Sequence, residues 1–291
     1  VTLDTATNNF ADEVRITGAA VTVVDEDAID LGASTVTGAY SVTADGAVTN
    51  SGALAITGTT TISASGRNVT LNTAANNFQG AVGITGANVS VVDAGAIVLG
   101  ASVVSGTYAV TATAGGDITD TGRLVITGAS TFTAADERSI YLDTTNSSFG
   151  TVAFVASSGN LKDVTIKDTT LIDLAALTLV KVGGAGGNLI VAAGGAVTDS
   201  GALDIPGTTT ISASGQNVTL DIATNNFATL VVTGATVSVI DEDAIVLGAS
   251  TVTNYTVTAG GAVTNNGALV VSGTATISAS GQNVTLDESS N

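Results

Sequence analysis

Apolar residues alternate with small polar residues in short stretches along this chain. In each stretch of about four to six positions, side chains such as Val69, Leu71 and Ile97 occupy every second place. This two-residue period is typical of β-strands that bury one face. Gly, Asn, Asp and Ser separate the stretches, as expected for turns between strands. No stretch combines a helix cap with helical spacing, so the pattern predicts an all-β protein.

The stretches are organised in a sequence repeat. GTTTISASGRNVTLNTAANNF at 58–78 returns as GTTTISASGQNVTLDIATNNF at 207–227, starts again at Gly273, and has a looser copy at 128–149. Each repeat begins with a VTLD-like segment, continues through NNF and an acidic turn, and closes with the TISASG segment. Counted from one VTLD to the next, the repeats cover 1–68, 69–139, 140–217 and 218–283, and a fifth starts at 284–291.

Strands as short as these cannot enclose a core alone, so each copy must bury its apolar face against the copies before and after it. We therefore predict a right-handed parallel β-helix, or solenoid, over residues 1–291 as a single segment. Each repeat of about 66 to 78 residues is expected to form about three coils of roughly 22 residues. Roughly 13 coils spaced about 4.8 Å apart would give a rod of about 60 Å.

The alternation also identifies the expected core. The side chains predicted to point inward are Ile56, Ile62, Val69, Leu71, Ile211 and Leu220. The phenylalanines that recur in register after the paired polar residues are predicted to fill the core as well: Phe10, Phe78, Phe149 and Phe227.

The third repeat departs from the others by two short insertions, around 157–162 and 183–187. All three lysines of the chain fall in this region, and Asp168 aligns with the acidic turns of the other repeats. Insertions in repeat proteins usually enlarge solvent-exposed corners, which is the interpretation favoured here. The region also mixes acidic and basic side chains, so it supplies a candidate interaction loop formed by Lys162, Asp163, Lys167, Asp168 and Lys181.

Charge and composition exclude two classes of function. The net charge is −18, from 25 acidic and 7 basic residues, whereas binding nucleic acid requires a basic surface that displaces counterions. No run of about 18 apolar residues occurs, so insertion in a membrane is not expected. The absence of cysteine rules out a disulfide framework.

Carboxylates cluster on one turn of the repeat, at 25–27 and 241–243. Oxygen ligands grouped on a turn can bind Ca²⁺, and the candidate ligands are Asp25, Asp27, Asp241 and Asp243. Their spacing matches neither an EF-hand nor the glycine-rich nonapeptide of calcium-binding β-rolls. Copies three coils apart, about 14 Å, cannot share one ion. A solvated corner is therefore favoured over a calcium site, and we expect no cofactor.

Two other activities were weighed. Polysaccharide cleavage needs carboxylates that converge within about 5 to 10 Å on one groove. The chain has no His or Cys, and only four Tyr and six Phe are available to stack on sugars. Ice binding would need a flat Thr-x-Thr ladder on adjacent coils, whereas the Thr-rich segment Thr59–Thr61 recurs once per repeat. We expect no enzymatic activity, and carbohydrate binding or cleavage at the third repeat is the alternative.

The segment GAVTNSGALAITGTTTISASGRNVTLNTAANNF at 46–78 resembles the repeats of bacterial filamentous-haemagglutinin-type adhesins. The resemblance extends over essentially the whole chain and is closest in the first, second and fourth repeats. It implies a secreted or cell-surface protein, often exported by two-partner secretion, that folds as a long right-handed β-helix. Its implied role is a structural or adhesive shaft. The expected partners are cell-surface glycans or the surface of a host or neighbouring cell.

Both ends of the sequence fall inside the repeat, at VTLD segments. A free-standing solenoid normally ends in atypical capping repeats with polar outer faces. We therefore expect these residues to be an interior segment of a longer or assembled filament. The neighbours along the axis would then be further copies of the same repeat, joined covalently or head to tail.

Overall fold

The computed structural model describes residues 1–289, which contain β-strands and no helix. The chain forms two compact units: unit 1 comprises Val1–Gly150 and Ala156–Ser158, and unit 2 comprises Thr151–Val155 and Gly159–Asn291. Both are parallel β-solenoids, and the chain makes about 14 turns. The predicted fold class is confirmed, whereas a single segment over 1–291 stays a prediction. The last two residues of the predicted fifth repeat, 284–291, lie outside the described residues.

The strands of unit 1 are short and follow one another through tight turns. They are β1 (Thr2–Leu3), β2 (Thr17–Gly18), β3 (Val21–Asp25), β4 (Ile29–Leu31), β5 (Ser34–Val36), β6 (Tyr40–Ala44), β7 (Val48–Asn50), β8 (Leu54–Ile56), β9 (Thr60–Ser63), β10 (Val69–Leu71), β11 (Asn77–Phe78), β12 (Val82–Gly86), β13 (Val89–Asp93), β14 (Ile97–Leu99), β15 (Ser102–Val104), β16 (Tyr108–Ala112), β17 (Ile118–Asp120), β18 (Leu124–Ile126), β19 (Ala129–Ala134) and β20 (Ile140–Leu142).

Strand β21 (Thr151–Ala156) follows, and the remaining strands belong to unit 2. They are β22 (Val164–Asp168), β23 (Ile172–Leu174), β24 (Leu177–Thr178), β25 (Lys181–Val182), β26 (Ala185–Gly186), β27 (Leu189–Ala193), β28 (Val197–Asp199), β29 (Leu203–Ser212), β30 (Val218–Leu220), β31 (Asn226–Asp241), β32 (Ile245–Leu247), β33 (Ser250–Ala259), β34 (Val263–Asn265), β35 (Leu269–Val271), β36 (Ala275–Ala279) and β37 (Val284–Thr285).

Three strands make one coil of unit 1, and each coil has three sides. Strands β3, β6, β9 and β12 stack in parallel on side A, and β15 and β18 continue that side. Strands β4, β7, β10, β13, β16 and β19 form side B. The intervening strands β5, β8 and β11 form side C. In the following coils this side is taken by β14, β17 and β20, and β14 pairs below with the first residue of β12, where Val82 is in register with Leu99.

The repeat does not contain a whole number of coils. From β10 to β19 the second repeat has ten strands, which at three strands per coil is about three and one-third coils. The VTLD-like strand therefore moves by one side per repeat: β1 stacks under β3 on side A, β10 lies on side B, and β20 lies on side C.

Unit 2 shows the same shift. The VTLD strand β30 belongs to the stack of β23 and β28, which continues through β31, β33 and β36. The next VTLD strand, β37, belongs instead to the stack of β32 and β34. In this unit the long strands β29, β31 and β33 continue around corners and so contribute to more than one side.

The length of a coil varies around the predicted value of about 22 residues. Val69 is in register with Val89, 20 residues on, whereas Tyr108 is in register with Ser130, 22 residues on, and Val164 with Leu189, 25 residues on. The coil of 25 residues contains the insertion at 183–187.

The predicted core is confirmed. Ile56, Ile62 and Ile211 are each 1% exposed, and Val69, Leu71 and Leu220 are fully buried. The alternation is seen directly in β10, which buries its first and third residues and leaves Thr70 half-exposed. In unit 1 the rings of Tyr108, Phe132 and Phe149 pack edge to face, with centroids 5.9 and 6.2 Å apart.

One predicted core residue is not buried. Phe78, Phe149 and Phe227 lie in the core as expected, but Phe10 is only half-buried. The reason is local: Phe78 sits on β11, paired with Ile56 of β8, whereas Phe10 lies outside any strand. Its ring instead lines an open groove of about 290 Å³ beside acidic side chains.

Candidate functional site

The acidic turns do not form solvated corners at their first residue. The recurring aspartate ends a strand and is buried in all four repeats, at Asp25, Asp93, Asp168 and Asp241. Burial has the same cause in each case, because the strand delivers this side chain to the interior face. The prediction of a solvated corner is therefore wrong for Asp25 and Asp241. It holds for Asp27 and Asp243, which are exposed.

Asp93 shows what the buried carboxylate does. Its Oδ2 accepts a hydrogen bond from the backbone N–H of Phe78 at 2.6 Å, and its Oδ1 accepts one from Gly95 at 2.6 Å. The first bond ties the end of β13 to the preceding coil, and the second closes an Asx turn. The carboxylate thus holds one coil to the next.

The other copies repeat this geometry. Asp25 accepts from Phe10 at 2.9 Å and from Asp27 at 2.8 Å. Asp241 accepts from Phe227 at 2.7 Å and from Asp243 at 3.1 Å. Two of the four candidate calcium ligands therefore already use both oxygens on backbone N–H groups. Among the described residues 1–289, no group of three or more Asp, Glu, His or Cys side chains is placed to hold a metal ion.

Burial raises the pKa of three carboxylates. Burial raises the pKa of Asp93 and of Asp241 above the usual range of aspartate, and the backbone hydrogen bonds oppose part of that rise. Burial also raises the pKa of Asp120, whose carboxylate accepts from the N–H groups of Asp143 and Thr144. All three carboxylates are bound to backbone rather than directed at an open cleft.

The first residue of the NNF pair has a structural role that the sequence did not reveal. Asn76 is fully buried; its Oδ1 accepts from the N–H of Leu54 at 3.0 Å, and its Nδ2 donates to the carbonyl of Leu71 at 3.1 Å. Asn225 accepts from Leu203 in the same way. The NNF motif therefore joins adjacent coils through the asparagine side chain and the phenylalanine N–H.

The insertion of the third repeat forms an antiparallel hairpin, β25–β26, in which Lys181 pairs with Gly186. Gly183, Gly184, Gly186 and Gly187 all have positive φ, a conformation that side chains rarely adopt. The hairpin fits the expectation that an insertion enlarges a corner. The stacked strand pairings described above for both units are all parallel.

The five residues of the candidate interaction loop do not converge. Lys162 and Asp163 form an ion pair at 3.9 Å beside the hairpin, and Asp163 also accepts from the N–H of Asn188 at 2.9 Å. Lys181 is exposed on the hairpin. Lys167 and Asp168 lie instead on β22, where Asp168 points into the core and accepts from the N–H of Thr170 at 2.7 Å.

Aromatic side chains are withdrawn from the surface. Tyr40, Tyr108 and Tyr255 are fully buried, so they are not available to stack on a sugar ring. Only Phe10 and Tyr141, among the aromatic residues of the described chain, are partly exposed. Within residues 1–289 there is no helix long and apolar enough to span a membrane.

Comparison with known proteins gives one match. No curated protein and no solved structure shows significant similarity to the chain. The family model described as "Repeats of unknown function (DUF5649)" matches residues 18–85, 86–156, 161–234 and 233–291. The matched segments have the period of the repeats described above and together account for most of the sequence. The chain therefore belongs to the DUF5649 family of repeats of unknown function.

Proposed function

We propose that this repeat solenoid is a structural and adhesive shaft of a large filamentous protein, secreted or held at the cell surface. It carries no catalytic activity of its own, needs no cofactor, and binds neither nucleic acid nor membrane. Its neighbours along the axis are further copies of the repeat. Its external partners are cell-surface glycans or the surface of a host or neighbouring cell.

The use of the recurring polar residues supports this proposal most directly. The Asp93 carboxylate accepts hydrogen bonds from two backbone N–H groups, and the Asn76 side chain hydrogen-bonds to the backbone of two neighbouring coils. Residues of these two kinds recur from repeat to repeat, and both hydrogen-bond to the backbone of this chain. Repetition of a motif that holds coil to coil is typical of a protein whose role is extent and stiffness.

Charge and resemblance support the setting. The net charge of −18 keeps an apolar-rich solenoid soluble and self-repelling. The segment at 46–78 resembles repeats of filamentous-haemagglutinin-type adhesins, which are exported and work at the cell surface. A bacterial extracellular filament is therefore the context that we propose.

Glycan binding at the insertion is a second candidate, favoured by the hairpin. Lys162 and Lys181 lie on the same corner: a Cβ added to Gly186 would lie 2.7 Å from the Cε of Lys162, and one added to Gly187 would lie 3.4 Å from the Cγ of Lys181. No other repeat carries a lysine. The hairpin thus places two cations where an anionic sugar chain could reach them.

One set of measurements tests the proposed shaft and detects any glycan binding. The purified chain is incubated with a panel of acidic polysaccharides, and depolymerisation, binding and melting temperature are measured with and without a calcium chelator. We expect no cleavage and an unchanged melting temperature after chelation, because both oxygens of Asp25 and Asp241 are used by backbone.

The variants then locate any binding. If the insertion is a glycan site, Lys162→Ala/Lys181→Ala will weaken binding, while Arg138→Ala, which removes an exposed cation elsewhere, will not. Release of oligosaccharide product, or a melting temperature that drops by many degrees with chelator, would contradict the proposed inert shaft.

A further inference from the structure

Six asparagines of this chain stand two residues before a serine or threonine, with no proline between them. They are Asn68, Asn88, Asn146, Asn217, Asn254 and Asn283. The sequence Asn-x-Ser/Thr is the acceptor motif for N-linked glycosylation, in which the sugar is attached to the amide nitrogen of the asparagine. The sequence treats the six motifs alike, whereas the structure distinguishes them by the surroundings of each amide.

Three of the motifs occupy the same place in the coil, and we name them the turn sequons: Asn68, Asn217 and Asn283. Each asparagine is the last of four consecutive exposed residues that form a turn, and it directly precedes a VTL segment. The glycine of each turn has a positive φ, and a Cβ placed on it would meet no atom within 4 Å: Gly66, Gly215 and Gly281. The surface beside these asparagines therefore has room for a bulky substituent.

The fold uses the amide oxygen of the turn sequons. The Oδ1 of Asn68 accepts a hydrogen bond from the backbone N–H of Asn88, one coil further on, at 3.3 Å. The Oδ1 of Asn217 accepts from the N–H of Thr236 at 3.2 Å. Within the part of the chain that the structure describes, the Nδ2 of Asn68 and that of Asn217 donate to no protein atom. Because glycosylation replaces one hydrogen of Nδ2 and leaves Oδ1 in place, a sugar can be attached without breaking the bond between coils.

The hydroxyl of the motif lies on the same face as the amide. Val69 and Val218, the middle residues of two turn sequons, are fully buried, and the hydroxyl-bearing Thr70 and Thr219 are half-exposed. In an extended backbone, residues two positions apart point to the same side. An enzyme that approaches from solvent therefore meets the amide and the hydroxyl together.

The other three motifs are less open. The Nδ2 of Asn88 donates to the Oδ1 of Asn68 at 3.1 Å, and the Nδ2 of Asn254 donates to the Oγ1 of Thr236 at 3.4 Å. Asn146 has a φ of 67°, so the backbone of its motif is not extended and its amide and hydroxyl do not share a face. We expect these three motifs to be poorer acceptors than the turn sequons.

The bond between coils does not by itself require asparagine. At other corners Asp117 accepts from the N–H of Ser139 at 2.9 Å, and Asp163 accepts from the N–H of Asn188 at 2.9 Å. A carboxylate oxygen can therefore do what the amide oxygen does at the turn sequons. The link between coils thus accounts for the oxygen of these asparagines and leaves their amide nitrogen, followed by a hydroxyl two residues on, without a structural role.

We propose that the turn sequons are attachment sites for N-linked sugars. In the reaction, Nδ2 forms a bond to the anomeric carbon of a sugar that is activated as a diphosphate ester, and the bond from that carbon to the diphosphate oxygen breaks. The amide gives up one proton to a base of the transferring enzyme, and the diphosphate leaves on its nucleotide or lipid carrier. This modification goes beyond the role proposed for the shaft, and it adds bulky hydrophilic groups to its surface.

The test is a sugar-transfer assay on the purified folded chain, analysed by intact mass and peptide mapping. One arm contains a soluble N-glycosyltransferase and a nucleotide-activated hexose, and the other contains membranes that hold an oligosaccharyltransferase with its lipid-linked donor. Asn217→Gln removes one acceptor amide, and Thr219→Val keeps that amide but removes its hydroxyl. Asn188→Gln is the matched control, because Asn188 also precedes a strand but is followed by Leu189 and Ile190. Circular dichroism establishes that the variants fold.

We expect whole sugar units on the three turn sequons in at least one arm, which also identifies the carrier, and less at the other three motifs. Both variants of the motif at 217–219 should lose the sugar at that site, and the Asn188 variant should lose none. No transfer to the turn sequons in either arm, while a synthetic Asn-Val-Thr peptide is modified, would overturn the proposal. Sugar retained at position 217 in the Thr219→Val variant, or equal transfer to all six motifs, would also overturn it.

Discussion

Replacing Leu220 by Asp will destabilise the folded chain by about 4 kcal/mol or more. Leu220 is fully buried and lies on β30, stacked between coils of unit 2. The substitution removes the apolar contacts of leucine and places a carboxylate where no partner awaits it. Because each coil is held by its neighbours, the loss extends to the adjacent coils. Urea denaturation followed by circular dichroism measures the change.

The adjacent residue provides the control. Thr219 occupies the same strand but points outward and is half-exposed, so Thr219→Asp should change the free energy of unfolding by less than about 1 kcal/mol. Equal destabilisation by the two substitutions would show that β30 does not have one buried and one exposed face.

Replacing Asp241 by Ala will have the second largest effect, a loss of about 2 to 4 kcal/mol. The substitution leaves the N–H groups of Phe227 and Asp243 without the carboxylate that binds them at 2.7 and 3.1 Å. The first of these groups is fully buried, so water cannot replace the lost partner. Part of this loss in stability is offset. Burying the charged carboxylate of Asp241 costs free energy, as its raised pKa indicates, and alanine does not incur that cost.

Asp243→Ala is the matched control, since it removes a carboxylate from the same turn. Asp243 is exposed, and its contribution to the turn is made by its backbone N–H. Its removal should change the free energy of unfolding by less than about 0.5 kcal/mol. A larger effect for Asp243 than for Asp241 would refute the role of the buried carboxylate as the link between coils.

The fold class and the core could be predicted because both follow from a local pattern. The two-residue alternation at Val69 and Leu71 requires a strand with one buried face, and repetition requires stacking. The number of coils per repeat could not be read in the same way. It depends on how many of the turns complete a corner: five strands, β12 to β16, lie between Phe78 and the next GAVTNSG-like segment, which is more than one coil holds.

The roles of the recurring polar residues could not be predicted from the sequence either. Asp25 is followed by two exposed acidic residues, so DED reads as one charged turn although its first carboxylate points inward. In the sequence Asn76 resembles an ordinary turn residue, yet its side chain joins adjacent coils by hydrogen bonds. The signal was present in the period: Asp25 continues the inward alternation of Val21 and Val23. A polar residue in phase with core positions is a candidate for a buried link.

The placement of surface residues depends on register, which the sequence leaves open. Thr256 and Thr276 are 20 residues apart and yet adjacent, whereas Lys167 and Lys181 are closer in sequence but lie on a side strand and on the hairpin. The candidate interaction loop was assembled from sequence proximity, and the structure separates two of its five residues, Lys167 and Asp168, from the hairpin.

The account rests on the stacking register of successive coils, and cysteine crosslinking tests it most directly. The chain has no cysteine, so a disulfide between two introduced residues reports only their separation, with Cα atoms required to lie about 4.4 to 6.8 Å apart. Thr70 and Ser90 point outward and are in register on β10 and β13. We predict that Thr70→Cys/Ser90→Cys crosslinks within the monomer under mild oxidation and that Thr70→Cys/Val92→Cys does so poorly. Efficient crosslinking to position 92 with none to position 90 would place β13 two residues out of the described register with β10 and would contradict the stacking described for this repeat.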